Sequence, residues 1–354
     1  MGDQGEQSNI EDEPGKVATP ILYELDPAGD VTLVVVNVPQ DLPQNLKDLK
    51  PDFLAGQSPP ETTPTSSDKG EKRPLHIRAS SKHLSLACGY FARMFASGFS
   101  EGIELQSKGM IELQILHVNG LAFLLLILII HCKPRLVPRK VSKETLTDFA
   151  VLVDYYQCHD AVEVFSEMWI KAIKDVKETA ALASLHWVLI SWVFKHKPKF
   201  KEATKEFVGT WSSHISSLGL PIPAIILAKM NEQRIGFLQQ FIDGLHKEHE
   251  AIALGCLMRN NSGTDKIDLC TYTVLGAFTK AMMDLKVLSP KPISPFVGIQ
   301  ILKIVVDFHR MRDSPHVDDS KYSPHNSCRL SCRRAALLAR HPLPEGLDLD
   351  KFDS

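Results

Sequence analysis

The stretch that most limits what this chain can become is Leu121 to Ile130, LAFLLLILII, an unbroken apolar run between Asn119 and His131. A helix made of such residues is apolar on every side and must be covered on every side. The run is also far shorter than the ~20 residues needed to cross a bilayer. It is therefore expected to be a buried helix. With 354 residues, 44% of them hydrophobic, the chain is long enough for two domains and a substantial core.

Short strands are predicted ahead of that helix. Gly29 to Val36, GDVTLVVV, is β-branched and ends near Pro39, which cannot donate to a ladder. A second strand is expected over Pro74 to Ala79, and the alternation in GMIELQI predicts a third over Gly109 to Ile115. Residues 1–20 carry too few large apolar groups to offset ordering entropy and are expected to be a disordered acidic arm. Gly56 to Arg73, rich in Pro, Ser, Thr and charge, reads as an insertion in a hairpin, so a disordered insertion is expected at about 51–73.

Beyond Pro134 and Pro138 the period changes to that of helices. Leu146, Phe149, Ala150 and Val153 mark one apolar stripe, and Val162, Phe165, Trp169 and Ile173 a second. Leu182, Leu185, Leu189 and Trp192 continue the pattern. The segment HKPKFKEATK that follows reads as a basic loop with a solvated face. Leu220-Pro221-Ile222-Pro223 is expected to open a helix carrying Ile226, Met230, Leu238, Phe241 and Leu245, with proline in the first turn. Further helices are predicted at 274–287 and 296–312, then polar, proline-rich loops after Ser314. No fixed-period repeat is evident.

A net charge of −2 and a pI near 6.7 advertise no basic footprint for nucleic acid. The opening MGDQGEQSNIEDEPG lacks the positive and apolar regions of a secretory signal, so export by that route is not expected. Seven scattered cysteines then point to reduced thiols in the cytosol or nucleus.

Two chemistries compete for attention. Gly98-Phe99-Ser100-Glu101-Gly102 fits the GxSxG pattern of serine hydrolases, which would make Ser100 a nucleophile on a turn between a buried strand and a helix. Its flanks disagree: Leu84, Ala87, Phe91, Met94 and Phe95 recur at helical spacing before it, and IELQSKG after it reads as too short and broken for a helix. Cys256, Cys270, His325 and Cys328 form a Cys3His set of the kind that closes around zinc, with Cys332 as a competitor and no CxxC knuckle. Buried unpaired thiols are the plainer reading of these cysteines. Phosphate-binding GxxxxGK[ST] and GxGxxG are missing, and HKEHE at 246–250 is not HExxH.

GDVTLVV, HIRASSKHLSLACGYFARMFASGFSE, MIELQI and the apolar helix resemble, in order and spacing, a BTB (POZ) domain. VPRKVSKETLTDFAVLVDYYQCHDAVEVFSEMWIKAI is similar to the version in fungal BTB-domain proteins. Residues 185–332, with LGLPIPAIIL, LGAFTKAM, PKPISPFVG and HNSC, resemble their helical C-terminal part. The resemblance implies a small sheet capped by helices, used for self-association and adaptor work, with no catalytic residue and no cofactor. It makes Leu84 to Phe95 a packed helix and Ser100 a loop residue. It also puts the φxE pattern, through which some BTB domains contact a cullin, on Phe99-Ser100-Glu101. One departure concerns the dimer surface. Ser80 and Ser81 stand where many BTB domains carry His then Arg or Lys, so the charged pair buried with Asp30 is incomplete. Either Asp30 is exposed or the dimer differs, since a buried Asp without its cation is costly.

The expected protein is thus of α+β class: a BTB/POZ domain over 26–175, an α-helical domain over 180–332 and a flexible tail over 333–354. It is expected to be a non-enzymatic, intracellular interaction module, with protein partners, a homodimer and a cullin foreseen and membrane and nucleic acid not. Partner-binding residues would be Phe99, Glu101 and Asp30. The alternatives are a serine hydrolase using Ser100 and a zinc-stabilised nuclear regulatory protein.

Overall fold

The ten-residue apolar run is a helix and sits at the centre of the first of two compact units, Met1–Ile173 and Lys174–Ser354. The computed structural model describes residues 20–39, 41–55, 73–96, 98–173, 181–255, 264–311 and 328–352. The acidic arm, apart from residue 20, and the insertion over 56–72 lie outside the described residues. The described chain is of mixed α+β class, mostly helical, with one small four-stranded sheet.

The sheet comprises β1 (Ile21–Glu24), β2 (Val31–Val35), β3 (Leu75–Ala79) and β4 (Ile111–Ile115), in spatial order β1-β3-β2-β4. β2 runs antiparallel to β3 and parallel to β4, while β1 lies parallel to β3. The central position of β2 explains its near-continuous burial, because both neighbours and both faces are covered. β1 at the edge alternates buried and exposed residues instead. This strand begins before the boundary expected at residue 26, and its four residues offer too short a pattern to be recognised beforehand.

Among the described residues seven α-helices accompany it: α1 (Pro51–Leu54), α2 (Ser81–Ala87), α3 (Gly89–Phe95), α4 (Ser100–Lys108), α5 (Gly120–Ile130), α6 (Lys143–Tyr156) and α7 (His159–Ala172). Every residue of α5 from Ala122 to Ile130 is buried. Asn119 caps it, its side-chain oxygen accepting from the backbone N–H groups of Leu121 (3.0 Å) and Ala122 (3.1 Å). Three expectations are corrected here. Residues 51–55 are not part of a disordered insertion: they form α1 and its end, with Leu54 and Ala55 buried. Leu84 to Phe95 is not one helix, because Cys88 is extended (φ −128°, ψ 116°) and divides α2 from α3. Leu84 and Phe91 are buried as predicted, but Leu86 is 89% exposed.

The second unit contains α8 (Ala181–Val193), α9 (Lys197–Thr210), α10 (Ala224–Ala253), α11 (Thr264–Asp284), α12 (Ile301–His309) and α13 (Leu330–Arg340). HKPKFKEATK is mostly helix and not loop. Its proline lies in the first turn of α9, where the missing N–H costs nothing, and Phe200, Ala203, Thr204, Phe207 and Val208 bury one stripe. At the core of the unit Arg234 is fully buried (0% exposed). Its guanidinium donates to the carbonyls of Trp211 (3.1 Å), Pro295 (2.8 Å), Phe296 (2.8 Å) and Ile299 (2.9 Å), tying two loops to α10.

The expected flexible tail is also corrected. Residues 330–340 are α13, pinned to α10 by Arg333 and Arg340 on Glu248 at 2.6 and 3.1 Å. The following strap lies along α9: Leu347 N–H donates to the Thr204 hydroxyl (2.8 Å), Leu349 is buried, and Phe352 packs edge-on to Trp192 and Phe200. Gly346 makes this approach possible, with φ +90° and a would-be Cβ 2.1 Å from the Lys201 carbonyl oxygen.

Candidate partner surface

GFSEG is a turn between two helices. Gly98 (φ +121°) reverses the chain, Phe99 takes an extended conformation at the N-cap, and Ser100 opens α4. Gly102 is needed for packing: a Cβ there would stand 2.5 Å from the Ala96 carbonyl oxygen. The two glycines of the hydrolase pattern therefore serve a tight helix-to-helix connection, and the element before Ser100 is α3, not a strand. Ser100 is neither in a loop nor followed by a segment too broken for helix. Its hydroxyl donates to Glu101 Oε2 at 2.8 Å, and among the described residues no imidazole is hydrogen-bonded to it.

Glu101 is held below the usual carboxylate range by its own backbone N–H, then by Ser100. Phe99 and Ile103, one turn apart, are each 57% exposed, so the aromatic ring is not spent on covering a helix end. Tyr90 on α3 connects this turn to α6. Its phenol is pushed up to about 12, chiefly by its hydrogen bond with Tyr155, then by burial and by the charges of Tyr155 and Glu101. The Tyr90 and Tyr155 rings are 5.1 Å apart, and Tyr155 is 58% exposed. Beneath them Phe91 stacks on Tyr156 at 5.1 Å and Phe123 approaches Tyr156 at 5.7 Å, so the surface rings rest on a fixed aromatic floor. A cleft of about 590 Å³, lined by Leu86, Gln157 and His159 among others, adjoins the same helices. Phe99 and Ile103 thus stand exposed beside Glu101 on α4, and Tyr155 on α6 and Leu86 on α2 are exposed as well. Tyr155 was not singled out from sequence, although it falls off the stripe of Leu146, Phe149, Ala150 and Val153, which continues to Tyr156.

Asp30 lies elsewhere, at the entry to β2. It is half-buried, and Ser81 donates to it twice, the backbone N–H to Oδ1 at 2.7 Å and the hydroxyl to Oδ2 at 2.6 Å. Burial raises its pKa, but the Ser81 donors, then its own backbone N–H and Lys82, outweigh that, and the carboxyl is held below its ordinary value. A neutral residue that donates twice thus satisfies the carboxylate. Next to it, the Ser80 N–H donates to His131 Nε2 (3.0 Å), so Nδ1 carries the proton and donates to the Ile127 carbonyl (3.0 Å). Burial, more than the opposing Ile127 carbonyl, lowers the pKa of His131 and keeps it neutral. The first turn of α2 is held by two titratable side chains from two other elements.

No protein-family model matches the chain, and neither a curated protein nor a solved structure does. Of the zinc candidates, Cys256 and His325 lie outside the described residues. Cys270 is half-buried on α11 and Cys328 is buried just before α13. Among the described residues no three His, Cys, Asp or Glu side chains converge as metal ligands, and no helix is long and apolar enough to cross a membrane. Cys88 and Cys158 are buried free thiols, and their mutual hydrogen bond, then burial, pushes the Cys158 thiol up, away from nucleophilic reactivity.

Proposed function

We propose that the chain is a non-enzymatic protein-interaction module of the BTB (POZ) type, acting inside the cell as an adaptor, with its helical second unit as a further binding surface. The observation that carries this reading is the pair Phe99 and Ile103, exposed on a helix whose start is fixed by Gly98 and Gly102 and which carries Glu101, a carboxylate near Tyr90. Burying a large apolar side chain contributes about 1.5–3 kcal/mol, so two or three such anchors on a rigid face suffice for a specific contact. Glu101 at the rim then selects partners with a donor or cation opposite it.

The partner favoured by the Phe99-Ser100-Glu101 pattern is the N-terminal helical region of a cullin. Titration of that purified region against the full chain by calorimetry should give a micromolar or tighter complex. Phe99→Ala should weaken it at least about tenfold, the effect expected for an anchor worth more than 1.4 kcal/mol. Wild-type protein that shows no heat of binding at high micromolar concentration overturns the cullin reading. Self-association is the companion proposal. It does not require Asp30 to find a cation in a second copy, because Ser81 already satisfies that carboxylate. Sedimentation velocity across a hundredfold concentration range checks it, and a concentration-independent monomer is the contrary result.

A further inference from the structure

The segment Lys133 to Lys140, KPRLVPRK, carries four cations and no acid. It leaves α5, makes a short 3-10 turn over Pro134–Leu136, and bounds a cleft of about 390 Å³ whose other wall is α1. Arg135, Arg139 and Lys140 line that cleft, and Asp52 is the acid that lines it with them. None of the three cations has a carboxylate within ion-pair distance among the described residues; the contact of Arg139 is with the Met168 sulfur at 3.9 Å.

The backbone that carries these charges is fixed. Pro134 and Pro138 restrict φ. Val137 and Val141 are buried, the Pro138 carbonyl accepts from Trp169 Nε1 at 2.8 Å, and Ser142 N–H donates to the Ala55 carbonyl at the end of α1, also at 2.8 Å. A surface loop with this many anchors loses little entropy on taking up a ligand. Like charges that line one cleft repel one another, and an anion between them relieves that cost. Three cations less one carboxylate leave a local charge of +2. That is the charge a phosphate monoester, at about −1.5 to −2, neutralises, and the planar fork of arginine matches its oxygens.

We propose that this cleft binds a phosphate monoester, with Arg135 and Arg139 as forked donors, Lys140 as a point charge and Asp52 limiting the site to a single phosphoryl group. The concave shape and small volume favour one ester group over the extended backbone of a nucleic-acid duplex, which needs a long basic stripe.

The test uses the full chain at 0.15 M salt and a fluorescent peptide carrying a single phosphoserine, followed by anisotropy. The phosphorylated peptide should bind at least about tenfold tighter than the same peptide with serine, since charge-assisted bonds contribute about 1.5–3 kcal/mol. Arg139→Ala should weaken binding by about fivefold or more, and Asp52→Asn should strengthen it by about two- to threefold, a gain that no misfolded variant can produce. Displacement of the peptide by free O-phosphoserine would place the recognition in the ester itself and identify a free phosphate ester as sufficient. Failure of O-phosphoserine to displace a peptide that binds phosphate-dependently would assign the site to a phosphorylated protein segment. Equal binding of both peptides, tighter binding of a DNA duplex than of the phosphopeptide, or an Asp52→Asn variant that binds no better would overturn the proposal.

Discussion

Asp30 and Arg234 settle the same physical problem, a charge away from bulk water, in different ways. Asp30 takes two short bonds from one neutral residue, Ser81. Asp30→Asn should cost about 1–2 kcal/mol at pH 7, discounted for its partial exposure, in urea unfolding. Its folded pKa is depressed, so this stabilisation is present above the ordinary Asp value and fades as pH falls through the folded one. His131 acts at higher pH. Because its pKa is lowered in the folded state, the unfolded chain takes up a proton first, and stability should decline as pH drops below about 6.5. The urea midpoint followed from pH 7.5 to 4.5 checks the sign; a midpoint that rises on acidification in this range would contradict it. For Arg234, four carbonyls depend on one guanidinium. Arg234→Ala should therefore cost about 3–5 kcal/mol, the usual toll for removing one side of a buried charged network, and Arg234→Lys should recover only part of it. The family resemblance set Ser80 and Ser81 against Asp30 but read the site as lacking a partner, and the Arg234 pairings, with Phe296 62 positions away, were not visible in the sequence at all.

At the scale of elements, what could be read beforehand depended on how loudly apolar period spoke over charge. β4, α6 and α7 carry periodic signals, β2 a β-branched run and α5 an unbroken apolar one, and these, with β3, were legible. α9 was hidden by its lysines, although Phe200, Ala203, Phe207 and Val208 repeat at helical spacing beneath them. α13 was hidden because its inward face includes an arginine, Arg333, whose burial depends on Glu248 from a distant helix. α4 was rejected because IELQSKG read as too short and broken for a helix, yet Gly102 just before it is what lets α4 start so near α3. Gly102→Ala tests this reading. On helix propensity alone it should stabilise by about 1 kcal/mol; with a Cβ 2.5 Å from the Ala96 carbonyl oxygen it should instead destabilise by about 1–3 kcal/mol. Thermal or urea unfolding distinguishes the two signs directly. The candidate partner surface was half legible in the same sense: Phe99 and Glu101 stood out as a short motif, whereas Tyr90 and Tyr155 join them only through the packing of α3 on α6.

For the molecule as a whole, two units each own a core, one around α5 and one around α10. Residues 1–173 made alone should unfold in one cooperative step, with a urea m value of about 1–3 kcal/mol per molar; a broad, non-cooperative loss of helix would show that this unit is incomplete by itself. The change from strands to helices falls near Lys143, inside the first unit, so the division near residue 173 was foreseen only through the family resemblance; the far end of the second unit was not legible, because Leu347, Leu349 and Phe352 are too few and too spaced to announce a packed segment. That far end has a consequence for biosynthesis. Thr204 meets Leu347 across 143 positions of chain. At about 5–20 residues per second, ribosomes would take on the order of ten seconds to make the residues that shield α9. Throughout that interval the newborn polypeptide shows sticky helices to chaperones, and a message broken before codon 347 yields a product that proteases can tell from the finished one.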